Sequence, residues 1–256
     1  MKRVLVIVPF PMSAENRAKR AAQLDAVELG PGIEFVFESV RVAPKNYVSA
    51  SDMVLAEFGA YEAGVEAERR GFDAVCIDTM SDSGLAALRA ELTIPVIGPG
   101  RASVLMAMML GQRFSILAMW PHWHHLYRKV LTELGVERHC ASIRWIDAVP
   151  DNQGLLGEKA EAVIDALEDV ARRAIEEDGA DVLLLGSTTM HETHGALAAR
   201  LPVPVVNPGP LTYKLAEAVL GLGLTHSKRA YPASPAPQDA VVHAMVDAAE
   251  DRARRE

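Results

Sequence analysis

Cysteine is scarce in this chain: among 256 residues there are two, Cys76 and Cys140. Two cannot make a disulfide framework, so a reducing, cytoplasmic setting is expected. Long apolar runs are lacking as well. The first, Val4 to Phe10, is too short for a signal-peptide core or a bilayer span, and no membrane partner is expected. A basic stripe is missing, and the net charge of −8 argues against nucleic-acid binding. The small groups at Lys228-Arg229 and Arg252 to Arg255 read as solvated ends, with charge neutralisation of an anionic substrate as the alternative for the first. No HExxH-type spacing occurs, which leaves His122 or His124 with His191 or His194 as the one alternative for a metal site. Half the residues are apolar and 23% are charged, as in an ordinary globular protein long enough for one large domain or two of common size.

What the chain does contain is a repeated stretch. Gly71 to Gly100 and Gly179 to Gly209 each run from an apolar segment through a small hydroxyl residue and a Gly-containing helical segment to a second apolar segment ending in Pro-Gly. Gly71 corresponds to Gly179, Asp73 to Asp181, Thr79 to Ser187, Pro95 to Pro204, and Pro99-Gly100 to Pro208-Gly209. Two separated copies imply two similar halves rather than a solenoid, which needs three or more adjacent units.

The pass along the chain alternates strands with helices. Val4 to Val8 reads as a strand buried on both faces, Ile33 to Val40 as a second strand, and Ala74 to Asp78 as a third ending at Asp78 and Thr79. A helix capped by Ser51-Asp52 is expected to run to about Arg70. Further strands are expected at 95–97, 114–118, 141–146 and 182–185, the last delivering Ser187, with a long amphipathic helix over Gly157 to Glu177. The pattern predicts an α/β fold of two pseudo-symmetric three-layer domains with parallel sheets and an active site in the cleft between them. The expected division is 1–98 with 209–231, then 99–208, then a closing extension over 232–256. Four loops after strand ends should line the cleft: Pro9 to Ser13, with Pro11 and Ser13; Asp78, Thr79, Met80 and Ser81; Trp120 to His125, with Trp120 and His122; and Ser187 to Thr189.

These residues resemble the aspartate/glutamate/hydantoin racemase superfamily, most closely its hydantoin and allantoin racemase branch. The resemblance is carried by DTMSDSGL (Asp78 to Leu85), PVIGPGRAS (Pro95 to Ser103), LGQRFSIL (Leu110 to Leu117), LGSTTM (Leu185 to Met190) and LTHSKRAY (Leu224 to Tyr231). It implies two pseudo-symmetric α/β domains and no metal or organic cofactor. It also implies one cysteine per half, one removing the substrate's α-proton and the other protonating the opposite face. Here Thr79 and Ser187 stand in the cysteine places, and Pro9-Phe10-Pro11 replaces the polar N-terminal loop common in the family. Cys76 comes three residues too early and reads as core.

A thiol titrates near pH 8.5 and needs little help to become a thiolate, whereas a hydroxyl does not ionise in the same surroundings. Thr79 and Ser187 therefore need a base, or act by donating hydrogen bonds to a carboxylate or enolate. His191 and His194 follow Ser187 on what would be one helix face, and His191 is the candidate base. His226 lies in the motif that resembles the family's substrate-side loop. Thr188 and Thr189 can offer backbone N–H groups to an anion. Asp78 and Asp82 are carboxylates beside Thr79, with helix N-capping the alternative for Asp82. Trp120 and Trp123 wall the pocket or anchor the following helix. The expected catalytic set is Thr79, Ser187 and His191, in a cofactor-independent racemase-like isomerase acting on a small carboxylate or cyclic amide. A diverged lyase, decarboxylase or hydrolase and a non-catalytic binding protein are the alternatives. A homo-oligomer is expected from the resemblance and the apolar helix over Met106 to Leu110.

Overall fold

The structure is a computed structural model that describes residues 1–149 and 160–253. The expected helix start at Gly157 and the basic residues Arg254 and Arg255 lie outside the described residues. Strand β1 (Lys2–Val8) carries the apolar run, and Val4, Leu5, Val6 and Val8 are fully buried, as a strand covered on both faces must be. It pairs in parallel with β2 (Ile33–Ser39) and β3 (Ala74–Ile77), and β3 pairs with β4 (Val96–Ile97), giving the order β2-β1-β3-β4. The second sheet is built from β5 (Phe114–Ala118), β6 (Cys140–Trp145), β7 (Val182–Leu185) and β8 (Val205–Val206) in the order β6-β5-β7-β8, again all parallel. The two orders are the same pattern, so the halves repeat in topology as in sequence.

The matched residues do matched work. Gly71 and Gly179 both take left-handed backbone, at φ 78° and 73°, to turn the chain into β3 and β7. Asp73 accepts the Arg3 N–H at the start of β1 (2.8 Å), and Asp181 accepts the Arg113 N–H just before β5 (2.9 Å). Val75 donates to Pro95 C=O and Leu183 to Pro204 C=O, so each copy closes onto its own edge strand. At the far ends, Asp78 N–H bonds Ile7 C=O and Gly186 N–H bonds Leu117 C=O, which places Thr79 and Ser187 at equivalent positions just past the two strands.

Helices α1 (Ala14–Ala21), α2 (Ala50–Gly64), α3 (Leu85–Glu91), α4 (Pro99–Leu110), α5 (His124–Leu134), α6 (Ala160–Glu176), α7 (His194–Arg200), α8 (Pro208–Gly221) and α9 (Asp239–Ala253) surround the sheets. The two Pro-Gly pairs open α4 and α8, where proline costs no hydrogen bond. These helices change partners. Helix α4 leaves β4 and packs on β7 and β8, α8 leaves β8 and packs on β3 and β4, and the two cross in contact. We propose that this exchange sets the domain division at 98/99 and 208/209.

Three local expectations change. Helix α2 is capped by Ser49, whose hydroxyl accepts the Asp52 N–H while the Asp52 carboxylate accepts the Ser49 N–H, so the cap lies two residues before Ser51. The helix ends at Gly64 and continues toward Arg70 as tight turns such as Ala67 N–H to Gly64 C=O. The closing helix α9 docks on α2 of its own chain. Arg41 bridges Glu62, Asp247 and Glu250, and His243 bonds Glu62 (3.0 Å).

Asp82 is the third change. Its own helix α3 is capped by Gly84 with no side-chain bond, while the fully buried Asp82 carboxylate accepts the Gly100 and Arg101 N–H groups of α4 (2.8 and 2.7 Å). Asp82 takes left-handed backbone (φ 51°) to reach them. Burial pushes its carboxyl up to about 6, against the pull of the two amides and the charges of Lys129 and Arg101. An acid raised this way adds stability that is fully present below the ordinary value of 3.8 and lost as pH rises through about 6. The protein should therefore gain up to roughly 3 kcal/mol over Asp82→Asn as the pH falls from 7.5 to 4, read as the difference between the two melting curves at each pH. Gly100 sits where a Cβ would come 2.2 Å from Met80 C=O. Gly100→Ala should thus displace the Thr79–Asp82 loop and cost about 1–3 kcal/mol, seen as a Tm lower by several degrees.

Candidate functional site

Thr79 from the end of β3 and Ser187 from the end of β7 line one cavity between the sheets, with about 30 Å³ in which the centre of a water molecule can move. Each hydroxyl leads a short chain. Thr79 Oγ1 is 3.2 Å from Ser81 Oγ, which is 2.8 Å from Ser83 Oγ. Ser187 Oγ is 2.8 Å from Thr189 Oγ1 and accepts the Thr189 N–H. The buried Thr188 hydroxyl donates to Asp78 C=O (3.2 Å), tying the ends of β3 and β7 together across the cleft. Buried Tyr127 donates to Gly186 C=O (2.8 Å) and fixes the strand end from behind.

An aromatic wall completes the cavity. Phe10 stacks on Tyr47 with ring centroids 5.0 Å apart, and the Tyr47 hydroxyl donates to Pro9 C=O (3.1 Å). Trp123 lines the same space and donates Nε1–H to Asn46 Oδ1 (2.9 Å), so of the two tryptophans it is Trp123 that walls the cavity. Below them lies a charged pair. Arg20 of α1 is 3% exposed and Asp78 is 2% exposed, with Arg20 Nε 3.1 Å from Asp78 Oδ2. Burial pushes the Asp78 carboxyl up, opposed by the Arg20 charge and by the Thr188 and Gln23 side chains. Arg20, Gln23 and Tyr47 were not among the residues expected here. Only the pairing of an inward arginine with the aspartate before Thr79 could have signalled them.

The cavity thus gathers Asp78, Thr79, Met80, Ser187, Thr188 and Thr189 of the expected set, with Ser81 one hydrogen bond behind Thr79. Other candidates are placed elsewhere. Ser13 is exposed and its hydroxyl caps α1 at Asn16 N–H, and Pro11 is exposed on the rim. His122 is exposed and packs edge-on against half-buried Trp120, with ring centroids 4.5 Å apart, off the cavity wall. His226 bonds Leu92 C=O (2.9 Å) and Lys228 bonds the carbonyls of Arg89, Ala90 and Leu92, so both satisfy the free carbonyl end of α3 instead of reaching the cleft. His194 Nε2 donates to Val205 C=O (3.0 Å) and holds β8.

His191 stands close behind the cavity without lining it. Thr188–Thr193 is a 3₁₀ turn and the α-helix begins only at His194, so Ser187 and His191 do not share the expected helix face, and Ser187 pairs with Thr189 in place of His191. Burial, and then the Arg20 charge, lower the His191 pKa, so its imidazole is neutral at pH 7. Its Nε2 is buried without a hydrogen-bond partner. Among the described residues no group of three or more His, Cys, Asp or Glu side chains is placed to hold a metal ion, and the histidines after β5 and those after β7 form no such group. Cys76 is fully buried in β3 with its thiol pushed well up by burial, as expected for a core residue.

Among the described residues no helix is long and apolar enough to cross a membrane. Residues 13–216 match the Asp/Glu/Hydantoin racemase family. A hydantoin racemase from Pseudomonas sp. (strain NS671) is 31% identical over 214 residues, covering 84% of this chain and 82% of that one. A hydantoin racemase from Paenarthrobacter aurescens is 30% identical over 229 residues, covering 88% and 94%. Among solved structures, allantoin racemase from Pseudomonas fluorescens superposes with a TM-score of 0.82 at 28% identity, covering 93% of this chain and 99% of that one. These likenesses bear out the two-halved parallel α/β fold and favour a racemase over the lyase, hydrolase and binding-protein alternatives. The chain belongs to the Asp/Glu/hydantoin racemase family.

Proposed function

We propose that this protein is a cofactor-independent, racemase-type isomerase that moves a proton at a carbonyl-activated carbon of a small cyclic amide or carboxylate, of the hydantoin and allantoin kind. The observation that carries this reading is the equivalence of Thr79 and Ser187: each is the second residue past the end of its β3 or β7 strand, and both line one cavity. A carbon acid held between them meets one hydroxyl on each face.

A neutral hydroxyl is too weak a base to work alone. On this reading the proton leaving the substrate carbon passes to Ser187 Oγ as that hydroxyl passes its own proton to His191, whose neutral imidazole lies one turn on. The opposite face is reprotonated by the Thr79 hydroxyl, held by its contact with Ser81, as it takes a proton in turn from a solvent water, and His191 releases the proton it received to solvent, so that both sites are reset. Because Ser187 bonds Thr189 here, the relay requires the Ser187 hydroxyl to rotate, or a water to bridge the gap. The low cysteine content supports a cytoplasmic setting. The family resemblance and the exposed Leu105 and Met109 of α4 support a homo-oligomer.

Proton NMR in heavy water, with 5-substituted hydantoins, allantoin and amino acids, tests the reading. Loss of the α-proton signal without new products is expected. His191→Ala and Ser187→Ala should each slow exchange by about 100-fold or more. Since the His191 pKa lies below its ordinary 6.5, the rate should stay flat down to pH 6.5 and fall in more acid solution. A rate that breaks only above pH 8 would remove His191 as the base. New product signals would replace the isomerase reading with a lyase or hydrolase.

A further inference from the structure

We propose that the buried Arg20–Asp78 pair reads one C(=O)–NH edge of a ring substrate, and so selects cyclic imides and ureides over open-chain carboxylates. The inference rests on the cavity being the reaction site.

Buried side-chain polar atoms without an aligned hydrogen bond gather around this pair. Arg20 Nε and Nη1, both Asp78 carboxylate oxygens, Gln23 Oε1, the Tyr213 hydroxyl and His191 Nε2 are all of this kind. Folded proteins satisfy nearly all such groups, and each one left alone costs about 1–3 kcal/mol. Stability does not explain the pair either, because a buried ion pair is commonly matched or bettered by apolar side chains of similar volume. The charges contact at 3.1 Å, and the Thr188 and Gln23 side chains lie beside Asp78, yet none of these contacts has the alignment of a hydrogen bond at Arg20 Nε, Arg20 Nη1 or the Asp78 oxygens, and both residues line the cavity.

The chemistry of the pair defines the ligand. A guanidinium only donates hydrogen bonds and a carboxylate only accepts them, so together they present a donor beside an acceptor. An amide inside a five-membered ring is held cis, and its C=O and N–H point the same way. Such an edge meets Arg20 with its carbonyl and Asp78 with its N–H at once. A free carboxylate offers two acceptors, and one of them would face the Asp78 charge. Since Asp78 immediately precedes Thr79, a ring held by this edge lies beside the Thr79 hydroxyl.

The test is binding, measured by isothermal titration of the intact protein with hydantoin, 1,3-dimethylhydantoin and the ring-opened hydantoic acid. Hydantoin should bind at least tenfold more tightly than either of the others. The double variant Arg20→Met/Asp78→Leu should fold with a Tm no lower than that of the parent. It should bind hydantoin at least tenfold more weakly, and should no longer prefer it to the dimethyl compound. In Asp78→Asn the Arg20 charge is unpaired, and hydantoic acid should overtake hydantoin. Undiminished hydantoin binding by the folded double variant overturns the proposal. So does equal binding of dimethylhydantoin by the parent, a methyl penalty that persists in the double variant, or the absence of hydantoin binding. Hydantoin binding with the expected preference but no deuterium exchange sinks the isomerase reading and leaves this one standing. Exchange without the preference does the reverse.

Discussion

The carboxylate of Asp82, closed on the first free amides of α4, fixes the geometry on which the site depends. Helix α4 is the element that leaves the first sheet and packs on the second, so the loop carrying Thr79, Met80 and Ser81 is tied to the join between the halves. The neighbourhood reinforces the tie. Lys129 of α5 reaches back to Ser81 C=O (3.1 Å) and to Glu57 of α2 (2.8 Å), and Glu57 in turn accepts the Gly84 N–H at the head of α3. A helix N-terminus attracts a carboxylate through its unpaired amides and its dipole, which offsets part of the cost of burying the charge. The raised pKa shows that part of that cost remains. The protein thus holds Thr79 in place at the expense of some stability.

The two halves match in backbone and differ in chemistry. Strand order, the Gly71 and Gly179 turns, the Asp73 and Asp181 anchors and the Pro-Gly helix starts all recur. Symmetry of this kind presents two equivalent positions to opposite faces of one carbon, as racemisation requires. The charged groups do not follow the symmetry. Arg20 and Asp78 belong to the first half, and His191 belongs to the second. Two thiols could serve as equal partners, each base or acid by turns. Two hydroxyls cannot, so on the proposed reading the asymmetry of the surrounding groups supplies what the thiols would have supplied.

Topology was legible because the repeat is written in residues with strict backbone meaning: glycines with left-handed φ, aspartates that bind the start of the neighbouring strand, and Pro-Gly at a helix start. Thr79 and Ser187 were legible for the same reason. Arg20 was not. It lies in Ala-Glu-Asn-Arg-Ala-Lys-Arg-Ala, where Arg17, Lys19 and Arg20 all read as a solvated face, and only packing shows which one turns inward. His191 was misplaced because Ser187 to Thr193 winds as a 3₁₀ turn. Over the four residues from Ser187 the difference between three and 3.6 residues per turn rotates a side chain by ~80°. His226 and Asp82 sit in recognisable motifs, but each is spent on a helix end, a need that depends on which helix happens to lie nearby.

A cavity without thiols places a further demand on its substrate. A neutral imidazole acting through a hydroxyl abstracts a proton only from a carbon that is already acidic, so the site has to stabilise the enolate that forms. The strongest donor on the cavity wall is Arg20, and a carbonyl resting on its guanidinium gains more from that contact as negative charge grows on the oxygen. In the proposed complex Asp78 keeps the guanidinium in place and, by taking the ring N–H, turns the carbonyl toward it. Recognition of the amide edge and acidification of the neighbouring carbon then become one contact, made on the first-sheet side of the cavity. On the proposed reading, the second-sheet side, with Ser187 and His191, is left to carry the proton.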